Sequence, residues 1–139
     1  MKTFLINTFL GFGVLASSVA GAYGSDIDLG VYQIYPGYET TIDLAKIALY
    51  PDVTYNLYCH LKAVDEESHL KLKVSNRNTE IWVEDCTTQT KLEVTCPIKN
   101  NKLVNFGFRK VTKDQGTISI RNLDFNQTFI AKCIAKVSS

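Results

Sequence analysis

The chain has 139 residues, is 45% hydrophobic and carries a formal net charge of +1, which suits one domain with a modest core. Its 15 basic and 14 acidic residues nearly balance, so it lacks the basic surplus by which general nucleic-acid binders release counterions from phosphates. The same balance provides no electrostatic attraction to an anionic membrane.

The N-terminus has the pattern of a secretory signal peptide. A lysine precedes the apolar run of residues 4–16, and small residues follow. Cleavage is expected after Ala20 or Ala22, and we favour Ala22, which leaves residues 23–139 as a single mature domain. A membrane anchor is the alternative, but the run is shorter than the roughly 20 apolar residues that a spanning helix needs. No second long apolar run follows, so the mature chain is not expected to insert into a membrane.

Alternation of apolar and polar residues, the pattern of half-buried β-strands, dominates the rest of the chain. Tyr35-Pro36-Gly37-Tyr38 predicts a type II turn, and residues 40–50 suit either a strand or a short helix. We count eight or nine strands, which predict one antiparallel β-sandwich or, as the alternative, a barrel. The clearest strands are residues 53–61, 70–74, 92–96, 117–121 and 129–137.

Two of these strands have the spacing of a hairpin. If residues 65–68 form its turn, Leu61 lies opposite Leu72 on one buried face. The same register places the two histidines, His60 and His69, on the other face, roughly 13 Å apart. That separation is too large for a shared metal ion, and both side chains are expected to face solvent.

Four cysteines remain in the mature chain, and export would place them in an oxidising compartment, where an even number predicts two disulfides. Zinc is the alternative, but zinc sites use closely paired ligands and the spacings here are 27, 10 and 37 residues. Of three possible connectivities, we favour Cys59–Cys133, as a bridge between two packed sheets, with Cys86–Cys96.

The second pairing carries a geometric condition. A tight hairpin turn at residues 87–90 would place Cys96 opposite Ile81, roughly 17 Å along the strand from Cys86. Because a disulfide cannot span that distance, Cys86–Cys96 requires an irregular loop there.

The segment Tyr55-Asn56-Leu57-Tyr58-Cys59, together with residues 120–124 leading to Cys133, resembles an immunoglobulin-type sandwich. The sequence departs from that pattern in two places. Trp82 lies 23 residues after Cys59, and Ala131 stands where a tyrosine is expected two residues before Cys133. The resemblance therefore concerns the architecture alone.

No pattern of residues predicts a catalytic site. The sequence contains no Gly-x-Ser-x-Gly elbow, phosphate-binding glycine loop or calcium loop. The carboxylate pairs Asp26/Asp28 and Glu84/Asp85 are expected to be surface charges, because adjacent strand residues point to opposite faces and the first pair is near the N-terminus. We expect no metal or other cofactor.

Tyrosine is unevenly distributed, since all seven tyrosines lie between residues 23 and 58. Tyrosine favours interfaces because it combines a large apolar ring with a polar tip, although strands also contain many half-buried tyrosines. The most exposed candidates, which would bind a glycan or a peptide, are Tyr32, Tyr35, Tyr38 and Tyr58.

These features predict an exported, non-catalytic binding module that is either secreted or periplasmic. Its partner is expected to be a protein or a glycan, bound by addition of a strand to a sheet edge or by the exposed tyrosines. The excess of lysine over arginine and the compact signal peptide favour a bacterial source. One alternative is a small secreted hydrolase or an inhibitor of one. Another is a structural subunit of an envelope or surface assembly, built on an incomplete sandwich.

Overall fold

A computed structural model describes residues 26–62, 64–86 and 92–138. The predicted signal peptide, residues 1–22, and residues 87–90, where the Cys86–Cys96 pairing requires an irregular loop, lie outside the described residues. No helix in these three ranges is long and apolar enough to cross a bilayer.

Within these residues the chain forms nine strands and one 3₁₀ turn, which matches the predicted number of strands. The segment 40–50 is both a strand end and a helical turn, because the Asp43 side chain accepts a hydrogen bond from the Ala45 N–H (3.0 Å). The elements are β1 (Ile27–Ile34), β2 (Glu39–Asp43), the 3₁₀ turn Leu44–Lys46, β3 (Tyr55–Leu61), β4 (Ser68–Val74), β5 (Glu80–Val83), β6 (Glu93–Ile98), β7 (Val104–Val111), β8 (Thr117–Asn122) and β9 (Phe129–Val137).

The strands form two packed antiparallel sheets, so the predicted β-sandwich is confirmed. One sheet has four strands in the order β2-β8-β4-β6, and the other has five in the order β1-β9-β3-β7-β5. Alternate side chains of the central strands point into the core, as the sequence pattern predicts. The largest aromatic side chains there, Tyr55, Phe106, Phe108 and Phe129, are fully buried, and each contributes roughly 2–3 kcal/mol to the folded state.

The predicted hairpin between residues 53–61 and 70–74 is wrong. Strand β3 pairs with β9 and β7, whereas β4 pairs with β8 and β6 in the other sheet. The chain therefore passes from one sheet to the other between β3 and β4, and Leu61 and Leu72 are both buried without being cross-strand neighbours. A hairpin and a crossover bury the same alternate residues, so the alternation could not distinguish them.

The Cys59–Cys133 pairing is confirmed, but its predicted position between the sheets is wrong. Cys59 and Cys133 lie directly opposite each other on the neighbouring strands β3 and β9, with 4.1 Å between their Cα atoms. This bridge therefore ties two strands of one sheet. The immunoglobulin-type resemblance does not extend to its inter-sheet disulfide.

The Cys86–Cys96 pairing is also confirmed, and this is the bridge that joins the two sheets. Cys96 lies on β6, and Cys86 follows β5 after a turn in which Asp85 adopts a φ of 62°. Because β5 and β6 belong to different sheets, no hairpin register separates the two cysteines. The bridge clips together the two edge strands on one side of the sandwich.

All four edge strands have features that oppose pairing with another chain. Strands β5 and β2 are only four and five residues long, and β6 contains Pro97, which has no N–H to donate. The longest edge, β1, is interrupted by a bulge at Gly30, where φ is 93° and the Asp28 carboxylate accepts the Gly30 N–H (2.8 Å). No long and regular edge is therefore free among the described strands.

The two disulfides should contribute unequally to stability. In the chain-entropy model, replacing both Cys59 and Cys133 by alanine should lower the free energy of unfolding by about 4 kcal/mol, and replacing Cys86 and Cys96 by about 3 kcal/mol. The difference arises because the first bridge closes a sequence separation of 74 and the second one of 10. Urea unfolding of both double variants measures these losses. A larger loss for the inter-sheet pair would contradict this account.

Candidate functional site

The structure separates the four candidate tyrosines into three places. Tyr32 on β1 points inward, is half-buried against the core and donates its hydroxyl to the Leu29 carbonyl (2.8 Å). Burial, together with the nearby Asp28 carboxylate, raises the pKa of Tyr32. The expectation that Tyr32 is exposed is wrong, because β1 turns its even-numbered residues toward the core at this point.

Tyr35 and Tyr38 lie together at one end of the sandwich, in the predicted turn between β1 and β2. The Tyr38 N–H donates to the Tyr35 carbonyl (2.9 Å), and Gly37 has a φ of 77°, as a type II turn requires. The two rings meet edge to face with 6.4 Å between their centroids. Both are well exposed, at 54% and 67%.

The buried side chain of Asn122 holds this turn against the neighbouring loop between β8 and β9. Its amide nitrogen donates to the Ile34 carbonyl (2.9 Å) and to the Gln127 carbonyl (2.6 Å). The loop presents Phe125 to solvent with 92% of its surface exposed. A third exposed aromatic side chain therefore accompanies Tyr35 and Tyr38, and the sequence patterns did not indicate it.

Asp124 stabilises the same loop from within. Its carboxylate accepts the backbone N–H groups of Asn126 (2.6 Å) and Gln127 (2.9 Å). Burial raises the pKa of Asp124, but the hydrogen bonds to its ionised form outweigh burial, and the pKa lies below its usual value.

We expect Asp124→Asn to make stability less dependent on pH. Because the pKa of Asp124 is lowered by folding, its ionisation stabilises the fold above the unfolded pKa, and this contribution is lost as the pH falls through the folded pKa. The variant should be less stable than the wild type at neutral pH, and the gap should narrow as the pH is lowered from neutrality to below about 4, the usual pKa of an aspartate in an unfolded chain. Urea unfolding across this range measures the gap, which should not stay constant.

The fourth candidate, Tyr58, lies on the outer face of the five-stranded sheet beside Trp82. Tyr58 on β3, Gly107 on β7 and Trp82 on β5 form one cross-strand row. The two rings meet at 62° with 5.9 Å between their centroids, over the strand that carries the glycine. We call Tyr58, Gly107 and Trp82 the aromatic platform.

Cations surround the aromatic platform. The Arg109 guanidinium carbon lies over the Trp82 ring, 5.5 Å from its centroid, and the Lys136 ammonium lies over the Tyr58 ring at 5.7 Å. Lys136 is also 3.9 Å from the Asp26 carboxylate. A shallow depression of about 340 Å³ adjoins the rings, and its lining includes Tyr58, His60, Trp82, Asn105, Lys132 and Ile134.

The indole nitrogen of Trp82 is buried and has no hydrogen-bond partner in the part of the chain that the structure describes. It lies 2.8 Å from where a Cβ atom at Gly107 would stand, so it faces the sheet and not solvent. An unpaired buried donor costs about 1–3 kcal/mol, and a phenylalanine here would avoid that cost.

Gly107 provides the space in which the Trp82 ring lies. A Cβ atom at position 107 would contact the Leu57 carbonyl oxygen and would lie 2.8 Å from two atoms of the Trp82 ring. Glycine in the middle of a strand is otherwise unfavourable, and it often marks such a close approach.

Gly107→Ala should destabilise the domain by about 2 kcal/mol or more, because the added methyl group overpacks the strand and displaces the indole. Gly37→Ala is the control. No atom lies within 4 Å of a Cβ there, so it should cost only about 1–2 kcal/mol for its positive φ. Urea unfolding measures both, and the fluorescence of Trp82 should shift only in Gly107→Ala. Equal costs and unchanged fluorescence would contradict a role for Gly107 under the ring.

The two histidines do not share a face. His60 is exposed on the five-stranded sheet and His69 is exposed on the four-stranded sheet, so the predicted single-hairpin arrangement is wrong. Among residues 26–62, 64–86 and 92–138, no group of three or more histidine, cysteine, aspartate or glutamate side chains could hold a metal ion. The Glu84 carboxylate accepts the side-chain amide of Asn105 (3.1 Å).

No protein-family model, curated protein sequence or solved structure matches the chain.

Proposed function

We propose that this protein is an exported, non-catalytic binding module that contacts a partner protein through the outer face of its five-stranded sheet. One observation carries the proposal: an exposed tyrosine and the single tryptophan meet on that face with cations above both rings. Tyrosine, tryptophan and arginine are the residues most enriched in the energetic centres of protein interfaces. Here all three occur together at the aromatic platform.

A partner protein fits this face better than a neutral glycan. Sugar rings bind by stacking on an open aromatic face, but the Trp82 ring lies over Gly107 and beneath Arg109. The Tyr58 ring is covered by Lys136 and meets the edge of Trp82. These contacts leave no flat ring open for stacking, whereas a protein surface can interlock with the rings and the surrounding cations.

The sheet face is also a better contact surface than a sheet edge. Strand addition needs a long regular edge, and the edges here are short or interrupted by Pro97 or by the bulge at Gly30. We therefore place partner binding on the aromatic platform and not on an edge strand.

Two features support export. The pattern of residues 1–22 is that of a cleavable leader, and the two disulfides fit an oxidising compartment outside the cytoplasm. All four described cysteines are paired, so none is left as a free thiol.

We expect substitutions on the aromatic platform to abolish partner capture without unfolding the domain. The tagged protein is cross-linked in its own organism, and partner recovery from envelope and medium is compared between the wild type, Trp82→Phe and Tyr58→Ala. Recovery should fall at least about tenfold in both variants, as for residues at the centre of an interface. The unfolding free energy of Trp82→Phe should stay within about 1 kcal/mol of the wild type, since the unpaired indole donor is removed.

Tyr38→Ala is the matched control, because it removes a tyrosine at the other aromatic site that is even more exposed than Tyr58, at 67% against 40%. It should leave partner recovery unchanged. Loss of recovery in Tyr38→Ala with retention in Tyr58→Ala would move the contact to the loop end. Undiminished recovery with both platform variants would refute the proposed function.

A further inference from the structure

A second and larger depression lies beside the aromatic platform, at the side where Arg109 covers Trp82. Its volume is about 500 Å³, and it lies between the segment before β5 and the end of β7. Arg109 is shared, since it lines this depression and also lies over the indole ring. We call it the arginine pocket, and its lining residues are Arg77, Asn78, Thr79, Glu80, Ile81, Arg109 and Lys110.

The charge in this pocket is unbalanced. Lys110 pairs with the Glu80 carboxylate at 3.1 Å, so these two charges offset each other. Arg77 and Arg109 form no salt bridge with any carboxylate in residues 26–62, 64–86 and 92–138. The pocket therefore retains two guanidinium groups without a carboxylate partner.

This concentration is unusual for a domain of balanced charge. The chain contains three arginines, and two of them line one pocket, although basic and acidic residues are nearly equal in number. Arginine presents a planar fork of N–H donors that binds a carboxylate through two parallel hydrogen bonds. Two guanidinium groups that line one depression can therefore bind an oxyanion such as a carboxylate.

The shape of the segment before β5 holds Arg77 near the pocket. The Asn76 side chain accepts the Asn78 N–H (2.7 Å), and the Asn76 carbonyl accepts the Thr79 N–H (3.2 Å), which fixes a tight turn around Arg77. Thr79 is buried, so the turn is anchored to the domain. The position of the Arg77 backbone is therefore set before any ligand binds.

We propose that the arginine pocket binds a carboxylate group of an acidic segment of the partner protein, beside apolar side chains that contact the aromatic platform. This proposal rests on the proposed function and adds the chemistry of the partner. Arg109 links the two parts of the surface, because a carboxylate bound to it lies next to the indole ring of Trp82. The favoured partner segment thus combines an aspartate or glutamate with a neighbouring apolar residue.

Trp82 is the only tryptophan and Arg109 lies over its ring, so its fluorescence should respond when a ligand binds to Arg109. The purified protein is titrated at constant ionic strength with a tetraglutamate peptide, a tetraglutamine peptide and acetate. We expect a saturable change in fluorescence with tetraglutamate, a weaker change with acetate and none with tetraglutamine. A change of equal size with tetraglutamine would overturn the proposal, because that peptide carries no side-chain charge.

Arg77→Gln and Arg109→Gln should each weaken tetraglutamate binding about tenfold or more, because each removes a charge-assisted hydrogen-bond donor. Arg121→Gln is the matched control, since Arg121 is the third arginine and is exposed on β8 in the other sheet. It should bind as the wild type does. Because Arg109→Gln also removes the cation over the indole, anisotropy of a dye-labelled tetraglutamate provides a readout independent of Trp82.

The two proposals fail in different ways. Wild-type affinity in both Arg77→Gln and Arg109→Gln would refute the arginine pocket. If these variants also recover the cross-linked partner normally while Trp82→Phe does not, the proposed function stands without the pocket. Tighter binding of an oligomer of galacturonic acid than of tetraglutamate would assign the pocket to an acidic glycan and overturn the protein partner.

Discussion

The covalent bond between Cys59 and Cys133 fixes the register of the two central strands of the five-stranded sheet. With these cysteines opposite each other and pointing inward, Tyr58 must lie opposite Ile134 on the outer face, and His60 opposite Lys132. A slip by one residue would turn every outward side chain into the core. The bridge that stabilises the fold therefore also determines which side chains form the proposed binding face.

The alternation of residue types correctly indicated which side chains are buried, but not which strands pair. Inward positions of β3 and β9 follow from a period of two, which is a local property of the sequence. The partner of a strand depends on the path of the connecting segment, and residues 62–67 could have closed a hairpin or crossed between sheets. Both paths satisfy the same alternation. Both cysteine pairings were therefore predicted correctly, but the bridge between the sheets was predicted to be Cys59–Cys133, whereas it is Cys86–Cys96.

The candidate site was predicted only in part, for a similar reason. Tyr58 was predicted because tyrosines are concentrated in one part of the sequence. Tyr32 lies in the same tyrosine-rich part and was predicted for the same reason, but its side chain points inward. Trp82 and Gly107 belong to strands that are neither consecutive in the sequence nor adjacent to the tyrosine-rich segment. Their meeting with Tyr58 depends on the strand order β3-β7-β5, which no local pattern contains.

The sandwich is closed on both of its long sides by covalent structure. On one side the Cys86–Cys96 bridge joins β5 to β6, and on the other the turn Tyr35–Tyr38 joins β1 directly to β2 in the opposite sheet. These two links oppose separation of the sheets, and we expect local opening to occur mainly at the strand ends. Since proteases cleave segments that have become locally unfolded, such a closed domain is suited to resist proteolysis.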